Sequence, residues 1–213
     1  MIAHPNGFFY SEGEPINWHR GYLDQCYELA KYATCVKAKV GAQVRAYPHG
    51  TLLGQGWNHS PNPQCDDCAN LCAGGIRQGV KSGTRLELCH AVHAEQWAIH
   101  QAALRFPDQL KGATLYVASF NEKGEKRLKD STLPLGHPMH GFYCSMCARA
   151  CWMAGIARII TDGINDIIEY SPQEIWETSY GVANSIEKEE EKKISTLSCG
   201  CDVGACICDY EKN

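Results

Sequence analysis

The residues of this chain best suited to chemistry lie in two short runs. Leu88 to His100 reads LCHAVHAEQWAIH, and Tyr143 to Met153 reads YCSMCARACWM. Zinc in a catalytic site takes three protein ligands and keeps a fourth position open. His93, Cys144 and Cys147 supply such a set. Cys144 and Cys147 are three positions apart, so both sulfurs face one side of a first helical turn. A helix N-terminus lowers thiol pKa and favours the thiolates that zinc needs. Glu95 follows His93 by two positions, near such a metal without having to ligate it. Zinc would bring the pKa of a water towards neutrality. Glu95 would accept the proton and hand it to a ring nitrogen and then to a leaving amine. The chemistry implied is attack of hydroxide on an amino-bearing ring carbon, with release of ammonia.

Several elements must position these groups. Apolar residues recur near helical spacing from Ile16 to Lys37 (Trp18, Tyr22, Cys26, Leu29, Ala33), which predicts an amphipathic helix with Cys26 in its core face. KVGAQVRAY and TLLGQGWN read as two strands, joined through Pro48, His49 and Gly50 as a hairpin. Residues 58–89 form a polar stretch rich in Pro, Gly, Asn and Cys, too long for an ordinary connection. A helix is predicted from Val92 to Arg105, closed before Pro107. GATLYVASF reads as a buried strand, Cys144 to Ala154 as the second ligand-bearing helix, and ARIITD and DIIEY as further strands. A helix opening at Pro172 follows. This order predicts an α/β protein with a mixed sheet covered by helices on both faces.

The composition narrows the function. The 213 residues suffice for one domain with a sizeable core. A net charge of -4 argues against a polynucleotide partner held by electrostatics. No signal peptide and no apolar run of about 20 residues is present, so no membrane partner and a cytoplasmic location are expected. In that setting the thirteen cysteines read as reduced thiols that hold metal, rather than as a disulfide framework.

His93-Ala94-Glu95 followed by Cys144-Ser145-Met146-Cys147 resembles the signature of the zinc nucleobase deaminases. TCVKAKVGAQV, GWNHSP, CHAVHAEQWAI, GATLYV and CARACWMAGIARII stand in the order found in deoxycytidylate deaminases and related nucleotide deaminases. The resemblance covers roughly residues 16–165. It implies the three-layer α/β/α cytidine deaminase-like fold, a mixed five-stranded sheet with both motif helices on one face. It further implies conversion of dCMP to dUMP, a catalytic Zn2+, and assembly as a homo-oligomer. Asn58 would meet the sugar hydroxyl and the Ala94 amide the base carbonyl, with His90 and Val92 shaping the pocket. Deamination of another nucleotide or base, such as a modified adenine or guanine compound, is the close rival. A non-catalytic zinc-binding protein of the same fold is the other alternative, against which Glu95 argues.

Three features depart from the family pattern. Tyr143 stands where the family has proline before the first cysteine, and Lys37 where many relatives have arginine. About twenty extra residues, from about Asn121 to Phe142, precede Cys144. They carry Lys123, Lys126, Arg127, Lys129, His137 and His140. They read either as a lid that grips phosphate or reads the base, with Lys126 and Arg127 as substrate contacts, or as a solvated surface hairpin.

Cys65, Cys68, Cys72 and Cys89 could close a second, structural zinc site, with His59 or His90 as substitute ligands, or could be thiols of a flexible loop. Cys151 reads as a core residue, and His100 as packing or surface. The deaminase domain is expected over residues 1–180. Residues 181–213 then form a charged helix end and a tail with Cys199, Cys201, Cys206 and Cys208, either metal-binding or disordered.

Overall fold

The computed structural model describes residues 2–3, 9–10, 15–48, 50–61, 75, 78–80, 88–130, 144–173 and 175–176. The side chains of residues 2–3, 9–10, 15–17 and 145 are not among what it describes. Two short strands, β1 (Ile2–Ala3) and β2 (Phe9–Tyr10), pair antiparallel with each other. Then follow α1 (Pro15–Ala30), β3 (Ala38–Arg45), β4 (Leu52–Trp57), α2 (Ala94–Arg105), the single turn α3 (Pro107–Leu110), β5 (Thr114–Asn121), α4 (Ser145–Met153), β6 (Arg158–Asp162) and β7 (Ile167–Tyr170). The main sheet has five strands in the order β4-β3-β5-β6-β7. Only β5 and β6 run parallel, and the other neighbours are antiparallel. The mixed five-stranded α/β/α arrangement expected from the sequence is present.

The period-two alternation of strands sorts side chains between two helical layers. From β3, Val40, Ala42 and Val44 join Leu115, Val117 and Ile159 under α2 and α4. Gly41, Gln43 and Arg45 point the other way, towards α1. On that face Leu23, Cys26 and Tyr27 pack against Tyr116, Ala118 and Ile160.

Each layer is pressed close by a strand glycine. A Cβ on Gly41 would lie 2.0 Å from the Cys26 carbonyl oxygen of α1. A Cβ on Gly54 would lie 2.2 Å from the Ala98 carbonyl oxygen of α2. Ala94, Ala98 and Ala102, four apart and fully buried, give α2 the flat stripe that this approach requires.

The first helix is shorter than the apolar recurrence suggests. It ends at Ala30, and the next amides (Lys31, Tyr32, Ala33) bond three residues back to Glu28, Leu29 and Ala30. The Thr34 amide then turns to the Asn58 carbonyl. Trp18, counted with the apolar face, is 54% exposed. The second helix starts at Ala94 rather than Val92, because Val92 pairs with His59 in an isolated antiparallel bridge. Within the predicted helix after Ser171, residues 172–173 and 175–176 are helical, and Ile175 is buried in the core under α2 and α4. Residues 177–213, with the proposed domain boundary and the tail cysteines, lie outside the described residues. No helix of the described residues is long and apolar enough to cross a membrane.

Candidate metal centre

Two helix starts meet at one end of the sheet. His93 is the N-cap of α2, in extended conformation, and the Gln96 side chain accepts from its amide at 3.4 Å. Cys144 is the N-cap of α4, and Cys147 lies in the first turn of that helix. The His93 Nδ1 is 3.1 Å from the Cys147 sulfur and 3.4 Å from that of Cys144. One ligand atom from each of these residues lies within 4.8 Å of the others. Among the described residues this is the one cluster of His, Cys, Asp or Glu close enough to hold a metal ion. One imidazole and two thiols at two helix N-termini fit zinc, whose thiolate ligands a positive helix end favours.

Glu95 sits just behind this group. It is 4% exposed, and the Cys147 thiol donates to its Oε2 at 3.6 Å. Burial raises the Glu95 carboxyl above the usual carboxylate range, and the neighbouring His93 charge opposes that rise. For His93, burial works downwards. Hydrogen bonds with Cys144 and Cys89, and the charges of Cys144 and Glu95, overturn it and carry the imidazole up to about 11. The Cys144 thiol is held well below its usual value by its hydrogen bond with Cys147, against burial and with help from His93. Burial pushes Cys147 well up. Two thiols and one imidazole gathered at two helix starts form a cluster whose thiolates a divalent metal would stabilise.

The other expected site residues are placed as follows. Asn58 is buried, with its Oδ1 accepting from the Val40 amide at 2.7 Å and its Nδ2 donating to the Ala38 carbonyl at 2.8 Å. Its side chain therefore clamps the start of β3, and each end retains capacity for one more bond. Ala94 is the first residue of α2, where amides have no intrahelical acceptor. Val92 is half-buried and tied to His59 by two backbone hydrogen bonds of 2.9 and 3.2 Å. His90 is exposed. Cys151 is fully buried in the core under α2 and α4, and His100 is exposed and stacks on Trp97.

Two placements differ from the sequence reading. Lys126 does not reach the His93 group. Its ammonium lies 4.1 Å from the Tyr27 ring centre and 3.9 Å from the Asp24 carboxylate, both on α1, across the sheet. Cys89, assigned to a separate structural metal, hydrogen-bonds with His93. Cys65, Cys68 and Cys72, the other members of that second site, lie outside the described residues, as do His137 and His140. Lys37, at the position where relatives carry arginine, donates to the Val80 carbonyl.

One residue named in the segment before Cys144, though not among the expected substrate contacts, is buried. Lys129 is 8% exposed, although it lies in the polar run before Cys144. Its backbone joins the end of β6, with its amide donating to the Asp162 carbonyl at 2.9 Å and its carbonyl accepting from the Ile164 amide at 2.8 Å. The only sequence signal is the spacing of Arg127 and Lys129 about Leu128.

The sheet order, the two helix starts and the His/Cys/Cys group with its buried glutamate define a zinc-type deaminase architecture. Residues 16–162 match the family described as the cytidine and deoxycytidylate deaminase zinc-binding region, and the chain belongs to that family. No curated protein matches it at a significant level. Among solved structures, the dCMP deaminase of cyanophage S-TIM5 in apo form is 18% identical, with a TM-score of 0.46, over 80% of this chain and 95% of that one. The same phage enzyme in complex with dCMP and dUMP is 17% identical, with a TM-score of 0.44, over 81% and 94%. RibD of Acinetobacter baumannii, form 1, is 15% identical, with a TM-score of 0.37, over 87% of this chain and 41% of its own.

Proposed function

We propose that this protein catalyses the zinc-dependent hydrolytic deamination of a nucleotide, with dCMP as the substrate. Water adds at the amino-bearing ring carbon, the C–N bond breaks, and dUMP and ammonia leave. The observation that carries this reading is the position of Glu95: a buried carboxylate, 3.6 Å from the Cys147 sulfur, in a site that needs no fourth ligand from it. A purely structural zinc site has no use for a carboxylate there.

His93, Cys144 and Cys147 would hold the metal, which when bound supplies Lewis-acid activation of water. Glu95 would take the proton of the attacking water and deliver it first to the ring nitrogen and then to the departing amine. Its burial suits the task, since a carboxylate raised from its ordinary range accepts a proton more readily than a solvated one. The Ala94 amide at the start of α2 points its positive helix end to where a base carbonyl would lie. Asn58 offers its remaining hydrogen-bonding capacity to the sugar, and Val92 and His90 line the approach. Residues 1–180 form the deaminase domain, acting in the cytoplasm as a homo-oligomer.

A deamination panel tests the reading. It compares deoxycytidine, its mono- and triphosphate, the adenine and guanine counterparts and N6-methylated adenine nucleotides, with ammonia release as the readout. Turnover of dCMP above all others is expected. Preference for an adenine or guanine compound would keep the chemistry and replace the base. Release from none of them by zinc-loaded protein would overturn the enzyme reading.

A further inference from the structure

After β5 the chain turns through residues 122–124 and comes back along the same strand. The Asn121 amide donates to the Glu125 carbonyl at 2.9 Å, Phe120 pairs with Lys126, and the Arg127 amide donates to the Ser119 carbonyl at 2.8 Å. Side chains of such a segment alternate between the faces of the sheet. Lys126 follows its partner Phe120 to the α1 face, where both meet the Tyr27 ring. Arg127 and Lys129 therefore project to the opposite face, the one that carries α2, α4 and Glu95. The backbone bonds to Asp162 and Ile164 fix Lys129 there.

Charge agrees with this placement. Burial lowers the Lys129 ammonium to about 8, the Arg127 guanidinium pushes it the same way, and Glu95 draws it back. The Glu95 carboxylate and the Arg127 cation are thus both within electrostatic reach of one buried ammonium. The fold holds two cations together where burial makes like charge costly. An arginine fork beside a lysine point charge matches a group with three acceptor oxygens and about two negative charges.

We propose that Arg127 and Lys129 form an anion subsite beside Glu95 that takes the phosphate of the substrate nucleotide. The proposal rests on the deaminase reading above and deepens it, because it assigns the discrimination between nucleotide and nucleoside to the segment that precedes Cys144. It also separates that segment into two parts. Lys126 fastens it to α1, and the next two odd-numbered residues face the reaction.

The test uses full-length, zinc-loaded protein as wild type, Lys129→Met, Lys129→Arg and Arg127→Gln. Calorimetry measures the binding of inorganic phosphate, and ammonia release compares deoxycytidine 5′-monophosphate with deoxycytidine. For Lys129→Met, the preference for monophosphate in kcat/KM should fall tenfold or more, through KM, and phosphate affinity should fall with it. Lys129→Arg should restore most of both. Arg127→Gln should reduce both about fivefold, and it decides the matter should Lys129→Met lose zinc or fail to fold. An unchanged preference, or an equal loss on nucleoside and monophosphate with phosphate binding intact, would overturn the subsite. Failure of the deaminase reading is a separate result, because wild-type protein would then release no ammonia while the calorimetric comparison still decides the anion subsite.

Discussion

The two faces of the central sheet use polar groups in opposite ways. On the α1 face they are matched with one another. Asp162 accepts from Arg20 and, at 3.0 Å, from the Tyr27 hydroxyl. Arg45 donates to Gln43, to Gln25 and to the Gly50 carbonyl, and its guanidinium stacks on Tyr22. On the α2 and α4 face the layer is apolar, with alanines and aliphatic residues joined by Cys151 and Tyr170, until the helix starts. There two thiols lie beside the His93 imidazole with a buried carboxylate behind them. A matched polar network holds a helix in place, whereas a cluster of metal-ligating groups is built to take an ion. The first face should therefore answer to stability measurements and the second to metal and turnover measurements.

That contrast breaks most plainly at the ligands. Cys147→Ala should reduce catalytic zinc from one per chain to none and ammonia release to background, with a soluble folded product, as read by metal analysis and circular dichroism. Extended chelation of the wild type should act in the same way, and zinc should restore it. Glu95→Ala should lower turnover by about 10²–10⁴-fold while zinc content and melting temperature hold. A drop in zinc content alongside the loss of turnover would assign Glu95 to metal retention instead.

Substitutions on the α1 face sharpen the comparison from the other side. Gly41→Ala should cost about 1–3 kcal/mol, because its Cβ would overlap the Cys26 carbonyl and α1 must lift from the sheet. Asp162→Asn should cost about 1–3 kcal/mol in denaturant melts, with kcat close to wild type, since it leaves Arg20 and Tyr27 poorly matched in a half-buried place. Lys126→Ala should change stability by no more than about 0.5 kcal/mol, because its ion pair is exposed. A large loss of substrate affinity in that variant would restore Lys126 to the site.

The chemistry was more legible in the sequence than its surroundings were. His93 with Glu95, and Cys144 with Cys147, stand out because a helix start fixes short-range geometry, while the joining of the two pairs rested on the chemistry of a zinc ligand set and on the family resemblance. The strands of the hairpin were likewise readable from short-range spacing. The glycines within them were not, because the reason for Gly41 and Gly54 is a helix packed across the sheet from a distant part of the chain. The end of α1 was misread since Ala33 continues the apolar spacing, while the Asn58 carbonyl, remote in sequence, captures the Thr34 amide. For Lys129 the sequence left two readings open, a lid residue or a solvated charge, because the pairing with the end of β6 that buries it is remote in sequence.

Parallel strands β5 and β6 cannot be joined by a tight turn, so after Asn121 the chain makes its return pairing along β5, touches the end of β6 at Lys129 and crosses through α4 before β6 begins. Both the exit and the re-entry at Cys144 lie at the edge where His93 sits. Residues added between those two points lengthen the crossover without shifting the register of any strand, and doubling such a connection costs only about 0.6 kcal/mol of closure entropy. This makes the crossover the position where selection can try new selectivity at little risk to folding. Homologues that differ in substrate should differ first in the length and charge of this one segment, and last in the helix starts that it borders.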